Sequence, residues 1–269
     1  MSPRGPQFEP DDDRPTADLA WERRWGRPVG ALAVLSVVGT IAAVPVAASD
    51  VAQKVHKQTD ISLLTNSGLS GSGQVAAMII RIAAILVLIP FAIFIHRAVR
   101  DRGEESYTKW IPVLGIIAFV IVAGSTSMGF FDQRDAGRMF LHDGPHTAAR
   151  AKDLVHHLNR NTAAFLNIGG GFLFGLWISL TAVETMRVGL TTRFLGLFGL
   201  GAGFTTVIGA IIAFPISSAL FIAWLGSLGL LAIGYWPGGR PLAWETGKAE
   251  SPLETATGGQ FGRRGSEPV

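Results

Sequence analysis

The sequence predicts an all-α integral membrane bundle of six transmembrane helices, the last two forming a tight hairpin. Three observations carry that prediction. Six apolar segments, near 29–48, 75–95, 111–131, 163–183, 195–212 and 217–235, each approach the roughly 20 residues a helix needs to cross a hydrocarbon layer. The composition is 48% hydrophobic and only 16% charged, where a soluble domain carries about 25% charged residues. Finally, Lys and Arg distribute unevenly between alternate loops, as the positive-inside rule requires of a multi-pass protein.

Taken in order, residues 1–28 read as a disordered tail, with Asp11, Asp12 and Asp13 early and the run Trp21-Glu22-Arg23-Arg24-Trp25-Gly26-Arg27 at its end. The first apolar segment closes on Val46-Ala47-Ala48-Ser49, which resembles a signal-peptidase site. A signal peptide has an apolar region of roughly 7–15 residues, so a segment this long favours an uncleaved helix. Loop 49–74 is polar and ends in the Gly/Ser stretch 68–73. The second segment runs into His96-Arg97, and Pro112 suits the first turn of the third helix. Loop 132–161 is the longest. Within it Thr147 to Asn161 is amphipathic, with Ala151, Leu154, Val155 and Leu158 on one face. The stretch 195–235 would reach roughly 60 Å as one helix, twice the membrane thickness, so it must fold back, and Pro215 with Ser217 and Ser218 marks the turn. Residues 237–269 read as a second disordered tail, leaving 29–236 as the membrane domain.

Orientation follows from charge. With the N-terminus inside, 15 Lys and Arg fall in cytoplasmic segments and 7 in outer ones, the remaining one being Arg81. Trp25, Tyr107, Trp110, Tyr235 and Trp236 cluster at the same interface. Both signals place the two termini in the cytoplasm of a cell-membrane protein.

Two segments carry a resemblance. Glu184-Thr185-Met186-Arg187-Val188-Gly189-Leu190-Thr191-Thr192-Arg193-Phe194-Leu195-Gly196, and Tyr235-Trp236-Pro237-Gly238-Gly239-Arg240-Pro241-Leu242-Ala243-Trp244-Glu245-Thr246-Gly247, resemble segments of uncharacterised multi-pass membrane proteins of actinobacteria. The resemblance implies the six-helix architecture and carries no mechanism. Read physically, Arg187 and Arg193 hold an inner turn against lipid phosphates, Gly189 permits the bend, and Glu184 sits one turn before Arg187, where a local ion pair forms.

Polar residues near or within the spans are the candidate sites. Arg81 is the one charge inside a span, roughly 9 Å from its outer end. It either snorkels to the outer headgroups or faces the bundle and needs a counter-charge at its own depth. Glu184 lies at the opposite membrane face, whereas Asp132 ends the third segment on the correct side, so an Arg81–Asp132 pair is expected. Asn167 precedes Gly169-Gly170-Gly171, which either packs closely or loosens the fourth helix as in transporters with broken helices. Gly171 with Gly175, and Gly199 with Gly203, form small-xxx-small pairs that let helices approach.

Chemistry is otherwise sparse. With no cysteine, disulfides and thiolate metal sites are excluded. His142, His146, His156, His157 and Asp143 have no standard ligand spacing, so no metal is expected. Gly68-Leu69-Ser70-Gly71 and His157-Leu158-Asn159-Arg160-Asn161 match rhomboid-protease elements in reversed order, with no later His as base, so no catalytic residue is assigned. No cofactor is implied, and a net charge of +3 carries no nucleic-acid argument. The partner the sequence does imply is the lipid bilayer; any ligand stays unidentified. The first functional reading is a non-enzymatic structural or partner-binding membrane protein. The alternative is a small-solute transporter or channel with a pathway near helices two, four and five, which with so few helices implies a homo-oligomer. A polar cavity reaching Arg81 and Asn167 favours the transporter; a dry interior favours the scaffold.

Overall fold

The structure, a computed structural model, describes residues 18–48, 59–69, 71–103, 109–212, 216–236 and 239–249. Among them ten α-helices and no strand occur: α1 (Leu19–Ala48), α2 (Asp60–Gly68), α3 (Ser72–Leu86), α4 (Leu88–Arg100), α5 (Trp110–His142), α6 (Ala148–Leu158), α7 (Thr162–Arg187), α8 (Arg193–Ile212), α9 (Ile216–Ile233) and α10 (Ala243–Thr246). Six of the helical stretches are long and apolar enough to cross a membrane, α3 and α4 together making one of them. Large apolar side chains stand exposed on these helices, among them Leu35, Val120, Phe172, Phe204 and Ile211. In water such a surface would be an aggregation hazard, and in lipid it is the ordinary outer wall of a bundle.

An even number of spans puts the start of α1 and the end of α9 on one side, here called the termini face; α2 and α6 sit at the opposite, far face. Both faces are more ordered than the loop readings imply. The tail expected over 1–28 is helical from Leu19, because the Asp18 carboxylate accepts from the Trp21 amide (3.0 Å) and caps the helix ahead of the apolar segment. At the other end of the chain, the tail expected over 237–269 contains α10, whose Ala243 and Trp244 are buried. Pro215 of the expected turn, Ser49 of the sequence that resembles a signal-peptidase site, and Ser70 lie outside the described residues.

Kinks and ends have local causes. Val87 interrupts the second span between α3 and α4. Pro90 follows three residues later, and its ring and missing N–H are incompatible with continuing the ladder back to Leu86. Loop 132–161 is mostly helix. With 33 residues α5 extends about 50 Å, so its last turns project beyond any bilayer. There α2 and α6 cover it. Leu64, Ala136, Phe140, Ala151 and Leu154 form a small separate core at the far face. Thr147 caps α6 as its amphipathic pattern requires, and Asn161 starts α7 afresh by accepting from the Ala164 amide at 2.9 Å. The amphipathic segment and the fourth span are therefore two helices.

Small residues set the tightest contact, between α7 and α8. A Cβ added to Gly175 would lie 2.6 Å from the Gly203 carbonyl oxygen, and the reverse holds at Gly203. Gly171 packs on Ala210 and Gly199 on Trp224, so both glycine pairs read from the sequence are packing positions. Helix α7 runs unbroken through Gly169, Gly170 and Gly171, and Gly170 is pressed against Ile121 and Val122 of α5. The main core fills the half of the bundle nearer the termini face, with Phe91, Phe94, Phe119, Trp177 and Trp224 fully buried.

Candidate functional site

In the half of the bundle nearer the far face the interior is open. One chamber of about 450 Å³ is lined by α3, α5 and the α6–α7 junction. It presents Gln74, Arg81, Ser125, Thr126, Gln133 and Asn167 among its polar groups. A second chamber of about 350 Å³ is more apolar and lies between α1, α3, α5, α7, α8 and α9. Both are lined by Arg81, Thr126 and Asn167, so these three residues mark where the chambers meet. Each volume falls within the range of small-molecule sites.

The spacing of these side chains follows from their helices. Arg81 lies in α3 ahead of the Val87 break. Asn167 lies on α7 just before the triple glycine, where small residues leave room beside it. Thr126 donates its hydroxyl to the Val122 carbonyl of its own helix (2.7 Å), and Ser125 does the same (3.0 Å). In the second chamber Thr40 donates to Ser36 (2.8 Å), Ser36 to Ala84 (2.6 Å) and Thr206 to Ala202 (2.7 Å). With their protons committed, these hydroxyls present acceptor lone pairs only. Arg81 presents donors and a full positive charge. The lining therefore complements a solute with an anionic group and one or more donors of its own.

The expected Arg81–Asp132 pair does not form. Asp132 instead accepts from the Asn161 side-chain amide (2.7 Å), which ties the end of α5 to the start of α7. Asn161 is the better partner because the α6–α7 turn brings it to Asp132 while already fixing its backbone as a helix cap. Among the described residues no carboxylate lies within ion-pair distance of Arg81, which is exposed to the chambers.

Toward the termini face the second chamber ends on aromatic rings. Phe174 and Phe221 line its floor, edge-to-face at 4.8 Å. Beneath them Phe119 meets Trp177 at 4.9 Å and Trp177 meets Trp224 at 6.4 Å, all edge-to-face. Gly115 and Gly199 make this layer possible. A Cβ at Gly115 would come within 2.6 Å of the Trp177 indole nitrogen, and Gly199 faces the Trp224 indole in the same way. Toward the termini face the second chamber is thus closed by packed aromatic rings.

The remaining candidates lie at the termini face. Glu184 is buried and pairs with Arg187 at 3.3 Å, the local pair read from their spacing. Gly189 turns the chain at φ +73°, a conformation that a residue with a Cβ rarely adopts, and Arg193 opens α8, exposed. Neither Glu184, Arg187 nor Arg193 reaches the chambers. Among the described residues no group of three His, Cys, Asp or Glu side chains comes together to hold a metal ion. His146 instead meets the Leu141 carbonyl at 3.1 Å, and His157 lies 3.9 Å from Asp153.

The strongest polar constellation at this face joins the two segments read as tails through an arginine of the loop after the second span. Arg102, just past α4, is fully buried and forks onto the Glu22 carboxylate of α1, its Nη2 donating to Oε2 at 2.8 Å. It also donates to the carbonyls of Ala98 (2.8 Å) and Ala243 (2.7 and 3.0 Å). Arg97, Trp21, Phe94 and Trp244 stack alongside, with Arg97 4.0 Å above the Trp21 ring. The Trp244 indole donates to the Leu190 carbonyl (2.9 Å). The two segments on which the resemblance rests therefore touch. The sequence signal for this clasp was weak: Asp18 as a helix cap before Trp21 and Glu22, and aromatic residues inside a polar tail.

No protein-family model matches the chain, and no curated protein or solved structure matches it either.

Proposed function

We propose that this multi-pass membrane protein binds a small anionic solute between its helices and passes it across the membrane, with Arg81 as the charge that selects it. One observation carries the reading: a polar chamber and a more apolar one meet at a guanidinium that has no carboxylate partner among the described residues. A charge inside a span is costly unless it pairs or faces water. Arg81 faces the chambers, and water or an anionic solute there lowers its cost. A scaffold that works through its outer surfaces has no use for such a cavity, so transport is favoured over a purely structural role. The Asn167 side-chain amide can donate to the anionic group, and Thr126 can accept from a donor elsewhere on the solute.

The aromatic layer of Phe174, Trp177 and Trp224 makes this the arrangement open to the far face. With the termini in the cytoplasm, as the Lys and Arg distribution supports, that face is external. Among the described residues no Asp or Glu side chain lines either chamber, which supports a passive or exchange-driven route over one coupled to a membrane-embedded proton carrier.

Proteoliposome uptake tests this. Vesicles holding the purified protein are assayed with acetate, lactate, phosphate and sulfate, each against empty vesicles. At least one anion enters through the wild type, Arg81→Gln reduces its entry at least tenfold, and Arg81→Lys keeps part of it. Equal uptake by wild type and Arg81→Gln, or no protein-dependent uptake of any of the four, overturns the proposal.

A further inference from the structure

A second cationic site lies outside the membrane-spanning core. At the termini face an open bowl of about 480 Å³ is lined by Arg23, Arg27, Ile233, Gly234 and Arg240. Arg23 and Arg27 are one turn apart on α1, both exposed, and neither has an ion-pair partner among the described residues. Arg240 comes from the chain after α9. Its Nη2 donates to the Ala232 carbonyl (2.6 Å), its guanidinium lies 5.7 Å from the centre of the Trp244 ring, and Gly234, at φ +99°, lets it pass close to the backbone. Its Nε is buried with no acceptor among the described residues.

Charge at the bowl is unbalanced. Burial, then the nearby Arg27, press the Arg240 guanidinium below its ordinary value, with Arg23 acting in the same direction. Glu22 and Glu245 oppose this, but the Glu22 carboxylate is already forked by Arg102. Arginines driven together in this way, with a donor left over, are arranged for an anion bearing several acceptors. A phosphate group meets that description, because the guanidinium fork matches its oxygens and more than one fork is available. The bowl also stands at headgroup level. It lies where α1 emerges from its apolar segment and α9 ends, beside the exposed Trp25 and Tyr235, residues of the kind that settle at a membrane interface.

We propose that Arg23, Arg27 and Arg240 form a binding site for a phosphate group at the membrane surface, supplied by an anionic phospholipid. The site differs from the Arg81 chambers in position and in the residues it uses. Occupancy would fix the start of α1 to the segment after α9.

The test uses the full chain purified in a neutral detergent. Thermal unfolding is followed with mixed micelles of phosphatidylcholine alone, with added phosphatidic acid, with added phosphatidylglycerol, and with inorganic phosphate in place of lipid. The variant is the double substitution Arg23→Gln with Arg27→Gln, since both side chains are exposed and no described residue depends on them. Phosphatidic acid raises the wild-type midpoint, and the double variant needs roughly 30-fold more of it for the same shift, since a basic residue near an anionic surface is worth about a factor of five. Arg240→Lys, which keeps the charge and loses the fork, gives an intermediate result. A midpoint raised equally by inorganic phosphate and by phosphatidic acid overturns the lipid as source. An unchanged wild-type midpoint in every mixture, or equal shifts in wild type and double variant, overturns the site.

Discussion

Replacing Arg102 with Met tests whether the termini-face clasp holds the bundle together. The wild-type guanidinium is fully buried, pairs with both Glu22 oxygens, and supplies donors to the carbonyls of Ala98 and Ala243. Arg102→Met removes all of these at once and strands a carboxylate that is 4% exposed at its side chain. Breaking one partner of such a pair costs about 3–5 kcal/mol, because the remaining charge is desolvated and uncompensated. At about 2–4 °C per kcal/mol for a chain of this size, the midpoint should fall by roughly 6–20 °C. The double variant Arg102→Met with Glu22→Leu removes both charges and should recover much of the loss. What remains is the cost of leaving the Ala98 and Ala243 carbonyls without the guanidinium donors, about 1–3 kcal/mol each. Thermal unfolding in detergent, read by intrinsic tryptophan fluorescence, reports this directly, since Trp21 and Trp244 stack beside the pair. A drop below 2 °C in Arg102→Met, or a double variant less stable than either single one, would refute the reasoning.

Other sites give sharper contrasts. Gly175→Ala should destabilise by about 1–3 kcal/mol because its Cβ would press on the Gly203 carbonyl, while Gly201→Ala, with open space around it, should be neutral or slightly stabilising; melting the two variants side by side checks the sign difference. Trp244→Phe keeps most of the stacking and leaves the Leu190 carbonyl without its indole donor, a loss of about 1–3 kcal/mol in the same melting assay. The chain has no cysteine, so single substitutions can report topology without background. Asp143→Cys should react with an impermeant maleimide added to intact cells and Glu245→Cys should not; the reverse pattern inverts the assigned orientation.

The elements legible in the sequence are those set by local signals. An apolar run long enough to span a bilayer must become helix, since no other backbone arrangement satisfies its N–H and C=O groups in lipid. The six spans were legible for that reason, as were the amphipathic face of α6, the Glu184–Arg187 pair and the Gly189 turn. Each depends on residues within a few positions of one another. The starts and ends of spans were less legible. Asp18 caps a helix that hydropathy alone starts later, because capping is a hydrogen bond and leaves no trace in an apolar average.

Long-range partners account for the rest. Glu22 and Arg102 look like tail and loop charges until they meet across 80 positions, and Ala243 joins them from 141 positions away. Burying a charge is unfavourable until its partner arrives, so nothing in either segment alone marks it as core. Arg81 and Asp132 show the converse: similar depth suggested a pair, but the α6–α7 turn delivers Asn161 to Asp132 and leaves Arg81 facing a cavity. By itself, then, the sequence determined a six-helix membrane protein with one charge in its interior, because lipid enforces helix on every apolar span. Tertiary structure alone decided what that charge faces and what fastens the two ends, because both depend on which distant side chains share one desolvated space.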